Sequence, residues 1–245
     1  MISEVFNTNC MEYMKSIPDK YFSLAIADPP YGLNAAKMGM GGTADNRRAA
    51  RKLYKEHTER VKGRLNSGGG KLKGRLLNQS SIGWDSETPS QKFFDELFRI
   101  SENQIIWGGN YFDLPPTRCV IAWDKVQPWE NFSQVEIAWT SFDYPAKLFR
   151  FDNRTGDKIH PTQKPVELYA FLLRNFAKQG DKIFDPMMGS GSSRIAAYKL
   201  GFDFYGCEIN SDYFNSAQSR FNRECLHEVT TKDGKTIKEL SLFGM

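Results

Sequence analysis

The apolar run Phe22-Ser23-Leu24-Ala25-Ile26-Ala27 ends abruptly at Asp28-Pro29-Pro30-Tyr31. A short run with no polar alternation reads as a strand covered on both faces, the habit of a parallel sheet flanked by helices. The two prolines fix φ and remove two backbone donors, so the chain must leave the sheet there in one stiff geometry. Asp28 and the carbonyl of Pro29 can accept both hydrogens of an NH2 group, and Tyr31 offers a face for stacking on a flat ring. A bare Asp-Pro-Pro also serves as an ordinary strand-ending turn, so the rest of the chain must decide between the two.

The pattern around that corner alternates strands with helices. Val5-Phe6-Asn7 reads as a short strand, Met11 to Ile17 as a helical stretch and Phe22 to Ala27 as a buried strand. Thr88-Pro89-Ser90 suits a helix start, followed by Phe93, Phe94, Leu97 and Phe98 at helical spacing. Gln104 to Trp107 is strand-like, and Cys119 to Trp123 and Val135 to Trp139 are two runs that can pair antiparallel. Lys164-Pro165 opens a helix carrying Leu168, Phe171, Leu172 and Phe176. A strand (Lys182 to Phe184), a glycine turn, a helix (Ser193 to Leu200), a strand (Phe204 to Cys207) and a helix toward Arg223 complete the series. Such alternation predicts a mostly parallel, doubly wound α/β sheet.

A chain of 245 residues, 40% hydrophobic, suffices for one such domain with insertions or for two small ones. No apolar stretch approaches the roughly 18 residues of a membrane span, and Met1-Ile2-Ser3-Glu4 does not open an export signal. The expectation is a cytoplasmic protein without membrane contact. Cys10, Cys119, Cys207 and Cys225 lie far apart and read as reduced thiols; with only His57, His160 and His227 beside them, a metal centre is not expected.

Charge is concentrated. Between Lys37 and Arg75 twelve Lys or Arg stand against three Asp or Glu, whereas the whole chain carries a net +4. A basic segment of this kind suits contact with a phosphate backbone, and equally a solvated loop. Glycine clusters at Gly39-Met40-Gly41-Gly42 and Gly68-Gly69-Gly70 bound it, with a marginal helix over Ala44 to Leu65 between them. Residues 35–80 are therefore read as a flexible basic insert in a single domain spanning 1–245.

The second chemical site is Asp185-Pro186-Met187-Met188-Gly189-Ser190-Gly191-Ser192-Ser193, between a strand and a helix. Gly189 and Gly191 let backbone approach a ligand closely, and the helix N-terminus presents free N–H groups. Glu208 ends the next strand, where a carboxylate commonly accepts from ribose hydroxyls. Without Gly-Lys-Ser/Thr the loop is no P-loop, and Arg194 stands where a dinucleotide motif has its third glycine. A nucleoside carrying a carboxylate, such as S-adenosylmethionine, fits better than NAD; a purely structural turn is the remaining alternative.

Asp-Pro-Pro-Tyr, His160-Pro161-Thr162-Gln163-Lys164-Pro165 and Asp185-Pro186…Gly189-Ser190-Gly191, in that order, resemble the beta group of DNA amino-methyltransferases of bacterial restriction–modification systems and phages. The resemblance spans the chain except the basic insert and the tail. It implies a circularly permuted, Rossmann-like methyltransferase fold, mostly parallel and seven-stranded with one antiparallel strand. It makes Asp28, Pro29, Pro30 and Tyr31 the catalytic motif and S-adenosyl-L-methionine the cofactor. Asp185, Pro186, Gly189, Ser190, Gly191, Ser192 and Ser193 would form the cofactor loop, with Glu208 on the ribose and Asp28 bordering the site. Asn9 and Cys10 stand where the family has Asp and a small residue beside the adenine, and Lys164 would face the methionine carboxylate. Met187 replaces the usual aromatic after Asp-Pro.

The implied reaction is methylation of adenine N6 in double-stranded DNA, on a flipped-out base stacked on Tyr31. N4 of cytosine is the alternative; RNA or protein-glutamine amino-methylation and a non-catalytic DNA-binding module are the other readings. The expected partners are DNA and, through a homodimer, a second copy of the chain. Residues 228–245 form a tail in which Thr230 to Ile237 suit a hairpin around Asp233-Gly234. Glu239-Leu240-Ser241-Leu242-Phe243 resembles a sliding-clamp docking peptide, or else caps the domain's own core.

Overall fold

The computed structural model describes residues 1–33, 87–126, 133–152, 158–160, 162–230 and 236–238. It divides into two compact units: Met1–Pro29 with Pro89–Met245, and Pro30–Thr88. Most of the second unit, including the basic insert and the helix expected over Ala44 to Leu65, lies outside the described residues. Its two described ends meet, since a Cβ on Gly32 (φ +73°) would sit 3.4 Å from Cγ2 of Thr88.

The first unit is built on eight strands: β1 (Ser3–Phe6), β2 (Phe22–Ala27), β3 (Ser101–Trp107), β4 (Val120–Asp124), β5 (Val135–Thr140), β6 (Lys147–Arg150), β7 (Lys182–Asp185) and β8 (Asp203–Cys207). Their spatial order is β1-β8-β7-β2-β3-β5-β4-β6. β1, β8, β7, β2 and β3 run parallel. β5 opposes both β3 and β4, and β6 runs parallel to β4. One antiparallel strand is therefore present, as expected. The permutation is visible in the order: the last two strands of the sheet in sequence, β7 and β8, lie between its first two, β1 and β2.

The expected count of seven strands becomes eight through β6. Its sequence, Lys-Leu-Phe-Arg, alternates half-buried and exposed positions and has no apolar run to announce it. It is held at the sheet edge by backbone pairing, with Arg150 Nε 3.1 Å from Oδ2 of Asp124 on β4. β2 is the opposite case: Phe22, Leu24, Ala25, Ile26 and Ala27 are all buried, because β7 and β3 occupy its two edges and helices cover the sheet.

Among the described residues the α-helices are α1 (Cys10–Lys15), α2 (Gln91–Ile100), α3 (Val166–Phe176), α4 (Ser192–Leu200) and α5 (Ser211–Phe221), the last running into a π turn at Asn222–Leu226. Asn9 caps α1 by accepting from Met11 N at 2.9 Å, and Asn210 caps α5 through Asp212 N and Tyr213 N. α2 turns Phe93, Phe94, Leu97 and Ile100 into a core shared with Met14 of α1 and Phe184 of β7. There the rings of Phe22 and Phe184 stack at 4.6 Å and 7°. Beyond α5, β9 (Glu228–Thr230) pairs antiparallel with β10 (Thr236–Lys238), which is the expected hairpin. The connecting turn and Glu239 to Phe243 lie outside the described residues.

Candidate active site

β7 delivers Asp185 to the carboxyl edge of the sheet, where the chain turns through the glycine loop into α4. The Asp185 carboxylate organises the turn from inside, accepting from Met187 N at 3.0 Å and from Ser193 Oγ at 2.6 Å. Burial pushes its pKa up to about 7 against those two hydrogen bonds, and the carboxylates of Asp28 and Glu208 push the same way. Gly189 and Gly191 take φ of +52° and +72°, values that a side chain strains to adopt. From outside, Arg220 of α5 donates to the Ser190 carbonyl at 3.2 Å and to Ser192 Oγ at 2.8 Å. Arg194 points away from the loop, donating to Ser3 and Gln218 and lying 3.7 Å over the Phe221 ring. It ties α4 to β1 and α5, a structural task that explains the missing third glycine.

Register across β7 and β8 pairs Asp185 with Gly206 and places Glu208 just past the end of β8. One oxygen of Glu208 accepts from Gly189 N at 2.9 Å and the other from Asn210 N at 2.8 Å. The acid is thus clamped beside the loop, and burial raises its pKa. Asn7, which carries no motif signal, donates to the Glu208 carbonyl at 2.7 Å and fixes that backbone. Asn9 is engaged as the cap of α1, and Cys10 next to it is buried, its thiol pushed up to about 11 by burial, with the Glu208 and Asp185 carboxylates adding to the effect.

Asp28 and Pro29 directly follow the adjacent strand, β2. β2 and β7 are parallel neighbours with Leu24 opposite Ile183 and Ala25 opposite Phe184, so both chains leave the sheet at the same edge, one strand spacing of about 4.8 Å apart. The Asp28 carboxylate meets Lys164, whose ammonium is 2.6 Å from Oδ2 of Asp28 and 3.1 Å from Oε2 of Glu136. The other oxygen of Glu136 pairs with Lys125. Lys164 is buried; burial disfavours its charge, but the two carboxylates outweigh that and raise its pKa. Burial likewise works against a charged Glu136, and Lys164 and Lys125 overcome it to hold its pKa at about 2. Lys164, expected beside the cofactor carboxylate, is placed on Asp28. Pro30 and Tyr31 follow directly in the chain as the start of the second unit.

The segment from His160 to Lys164 reaches both corners. A Cβ on Gly189 would lie 3.8 Å from the His160 ring, which packs edge-on against Tyr213 at 4.4 Å. Burial, and then the Lys164 charge, lowers the His160 pKa to about 4. Thr162 N donates to Nδ1 at 3.3 Å, which assigns the proton of the neutral ring to Nε2. Glu136 and Lys125 are the site residues that motif reading missed. The available signal was a carboxylate at the β5 position that shares its face with Ala138 and Thr140, both buried.

The DNA methylase family of N6/N4 methyltransferases matches residues 45–219, well over half of the chain. The chain belongs to this family. Asp-Pro-Pro-Tyr at 28–31 precedes the glycine loop at 185–193, the order of the beta group. Among curated proteins this DNA methylase is similar to the type II methyltransferase M2.MboI of Moraxella bovis, 22% identical over 254 residues covering 92% of this chain and 88% of that one. It is also similar to the type II methyltransferase M2.DpnII of Streptococcus pneumoniae, 27% identical over 150 residues, 61% of this chain and 52% of the other. Solved structures of like fold include the TTHA0409 protein of Thermus thermophilus complexed with S-adenosyl-L-methionine, with TM-score 0.52 and 17% identity over 91% of this chain and 94% of that chain. The cytosine-N4-specific PvuII DNA methyltransferase gives 0.56 at 14% identity over 90% and 86%. These likenesses show the fold, that of the S-adenosylmethionine-dependent methyltransferases.

As a member of the family the methylase uses S-adenosyl-L-methionine and acts on DNA. The residues present fit that cofactor. Gly189 leaves unfilled the space that a Cβ would take against His160. Glu208 holds a carboxylate at the loop, fixed by Gly189 N and with lone pairs left over for a further donor, and α4 opens with its N-terminus behind Ser190 and Gly191.

Proposed function

We propose that this methylase modifies N6 of adenine, on a base extruded from duplex DNA. The observation that supports the reading best is the adjacency of β2 and β7, which brings Asp28 and the glycine loop to one edge of one sheet. When bound, S-adenosylmethionine supplies an electrophilic methyl on a sulfonium. The adenine amino group is a poor nucleophile because its lone pair is delocalised into the ring. Asp28 and the Pro29 carbonyl, accepting its two N–H bonds, favour a pyramidal nitrogen with the lone pair aimed at the methyl. Asp28 would offset the positive charge that builds on nitrogen as the methyl leaves sulfur, and the amine hydrogen it holds would depart as a proton through that carboxylate to solvent, leaving the neutral thioether of the cofactor. Such alignment is worth roughly 7–11 kcal/mol in favourable cases. The target atom is out of reach inside a duplex, which is the reason for extrusion, and Tyr31 supplies the stacking face.

The leading Asp of the catalytic motif favours adenine over cytosine; the same two acceptors suit either amino group. The deciding experiment supplies tritiated S-adenosylmethionine with DNA, RNA and protein, then digests the labelled product to nucleosides. Label in N6-methyl-2'-deoxyadenosine from DNA is expected. Label in N4-methyl-2'-deoxycytidine would overturn the base assignment, and label in RNA or protein would overturn the choice of acceptor.

A further inference from the structure

At the catalytic corner four charges alternate in sign: Asp28, Lys164, Glu136 and Lys125. The two ammonium groups are each set over an indole, Lys164 at 5.3 Å from the Trp107 ring centre and Lys125 at 5.7 Å from that of Trp123. Those two indoles pack edge to face at 6.3 Å and 78°, and both are fully buried or nearly so. Glu136 lies opposite Trp123 in the β4–β5 register, so its side chain leaves the sheet on that same face. A carboxylate in such surroundings is costly unless paired, and among the described residues Glu136 reaches the chemistry through Lys164.

We infer that Glu136, backed by Lys125, is a positioning residue for Asp28: by sharing the Lys164 ammonium it sets where and how tightly Lys164 grips the catalytic carboxylate. The inference rests on the proposed role of Asp28 as acceptor of the amine hydrogens. A lysine paired with Asp28 alone would move fully onto that carboxylate and compete with the substrate amine. A lysine that loses Glu136 also keeps its proton less firmly, because burial then faces one carboxylate in place of two, and once neutral it no longer holds Asp28 in position. Among the described residues this cluster is also faced by His160 on the Lys164 segment, by Tyr169 of α3 in the field of Asp28 and Glu136, and by Asp185 of β7, whose pKa burial raises to about 7 with help from Asp28. Lys158 faces it too; burial and Lys125 disfavour it as a cation, while Glu136 and Asp152 favour it. Burial raises the Tyr169 phenol well above its ordinary range and lowers His160 to about 4, so both stay neutral across the working range.

The test measures kcat against pH and S-adenosylmethionine affinity for Glu136→Gln, Glu136→Asp, Lys125→Gln and Asp28→Ala. Glu136→Gln is expected to lose up to about a hundredfold in kcat while binding the cofactor as the parent does. Its alkaline limb should move down by about one pH unit or more, with Glu136→Asp recovering part of both. Lys125→Gln removes a repelling charge, so its alkaline limb should stay in place or move up; this holds the inference open to refutation even where Glu136→Gln fails to fold. A Glu136→Gln profile parallel to the parent's, cofactor affinity falling in step with rate, or a Lys125→Gln limb that moves down would overturn the positioning role. Full turnover by Asp28→Ala would instead sink the underlying reading of Asp28.

Discussion

At the scale of single residues the site is made of buried charges held by protein groups. Asp28 is the one whose removal is expected to separate binding from chemistry. Asp28→Ala should cut turnover by at least about a thousandfold, the scale of losing a transition-state-stabilising group, while S-adenosylmethionine affinity by equilibrium dialysis changes little. Equal losses in both would place Asp28 in cofactor binding instead. Asp185 makes a prediction about stability. Its folded pKa is raised to about 7 by burial, whereas the unfolded chain binds that proton only near pH 4. The folded state therefore holds an extra proton between those values, and this contribution is present at low pH and lost as pH rises through 7. Thermal unfolding should show Asp185→Asn gaining on the parent at pH 8 and losing that advantage by pH 5. An advantage independent of pH would contradict the assignment. Lys164 shows where residue-level reading stops: its motif marked it as important, but the strand that carries its second carboxylate, Glu136, has no motif at all.

Among the elements, the two corners follow from strand ends. The apolar run of β2, the Asp-Pro-Pro stop, the strand–glycine–helix signature at β7 and Glu208 after β8 were all legible, because burial and backbone sterics dictate those residue types locally. β6 was not legible, since an edge strand needs no apolar run and its hold on β4 is backbone pairing plus Arg150 and Asp124. The role of Arg194 was equally hidden, because its partners on β1 and α5 are far away in sequence. The glycine loop gives the element-level prediction. Gly189→Ala must hold φ near +52°, costing about 1–2 kcal/mol, and its methyl enters the space in front of His160. Its cofactor affinity should fall at least about tenfold, more than the stability loss alone explains; an unchanged dissociation constant measured by titration calorimetry would remove the loop from the cofactor site.

Across the protein as a unit, the family resemblance carried by the motifs implies a permuted sheet, and the neighbouring of β1 with β8 and of β2 with β7 bears that out. Target choice was not legible, because base recognition depends on which side chains reach a groove. The basic stretch from Lys37 to Arg75, which lies outside the described residues, is proposed to bear on affinity in a way that can be measured. Replacing Arg47, Arg48, Arg51 and Lys52 by Gln should weaken DNA binding for all sequences alike. Its salt dependence should flatten, the slope falling by about 0.9 for each phosphate no longer neutralised. An unaltered slope would assign that charge to solvent. One amine is expected to touch both corners at once. A crystal structure with S-adenosylmethionine bound tests it most directly. The sulfonium methyl should lie close enough to Asp28 for a nitrogen to stand about 3–3.5 Å from the methyl and about 3 Å from a carboxylate oxygen. A methyl too far from Asp28 for any single nitrogen to meet both distances would contradict the account.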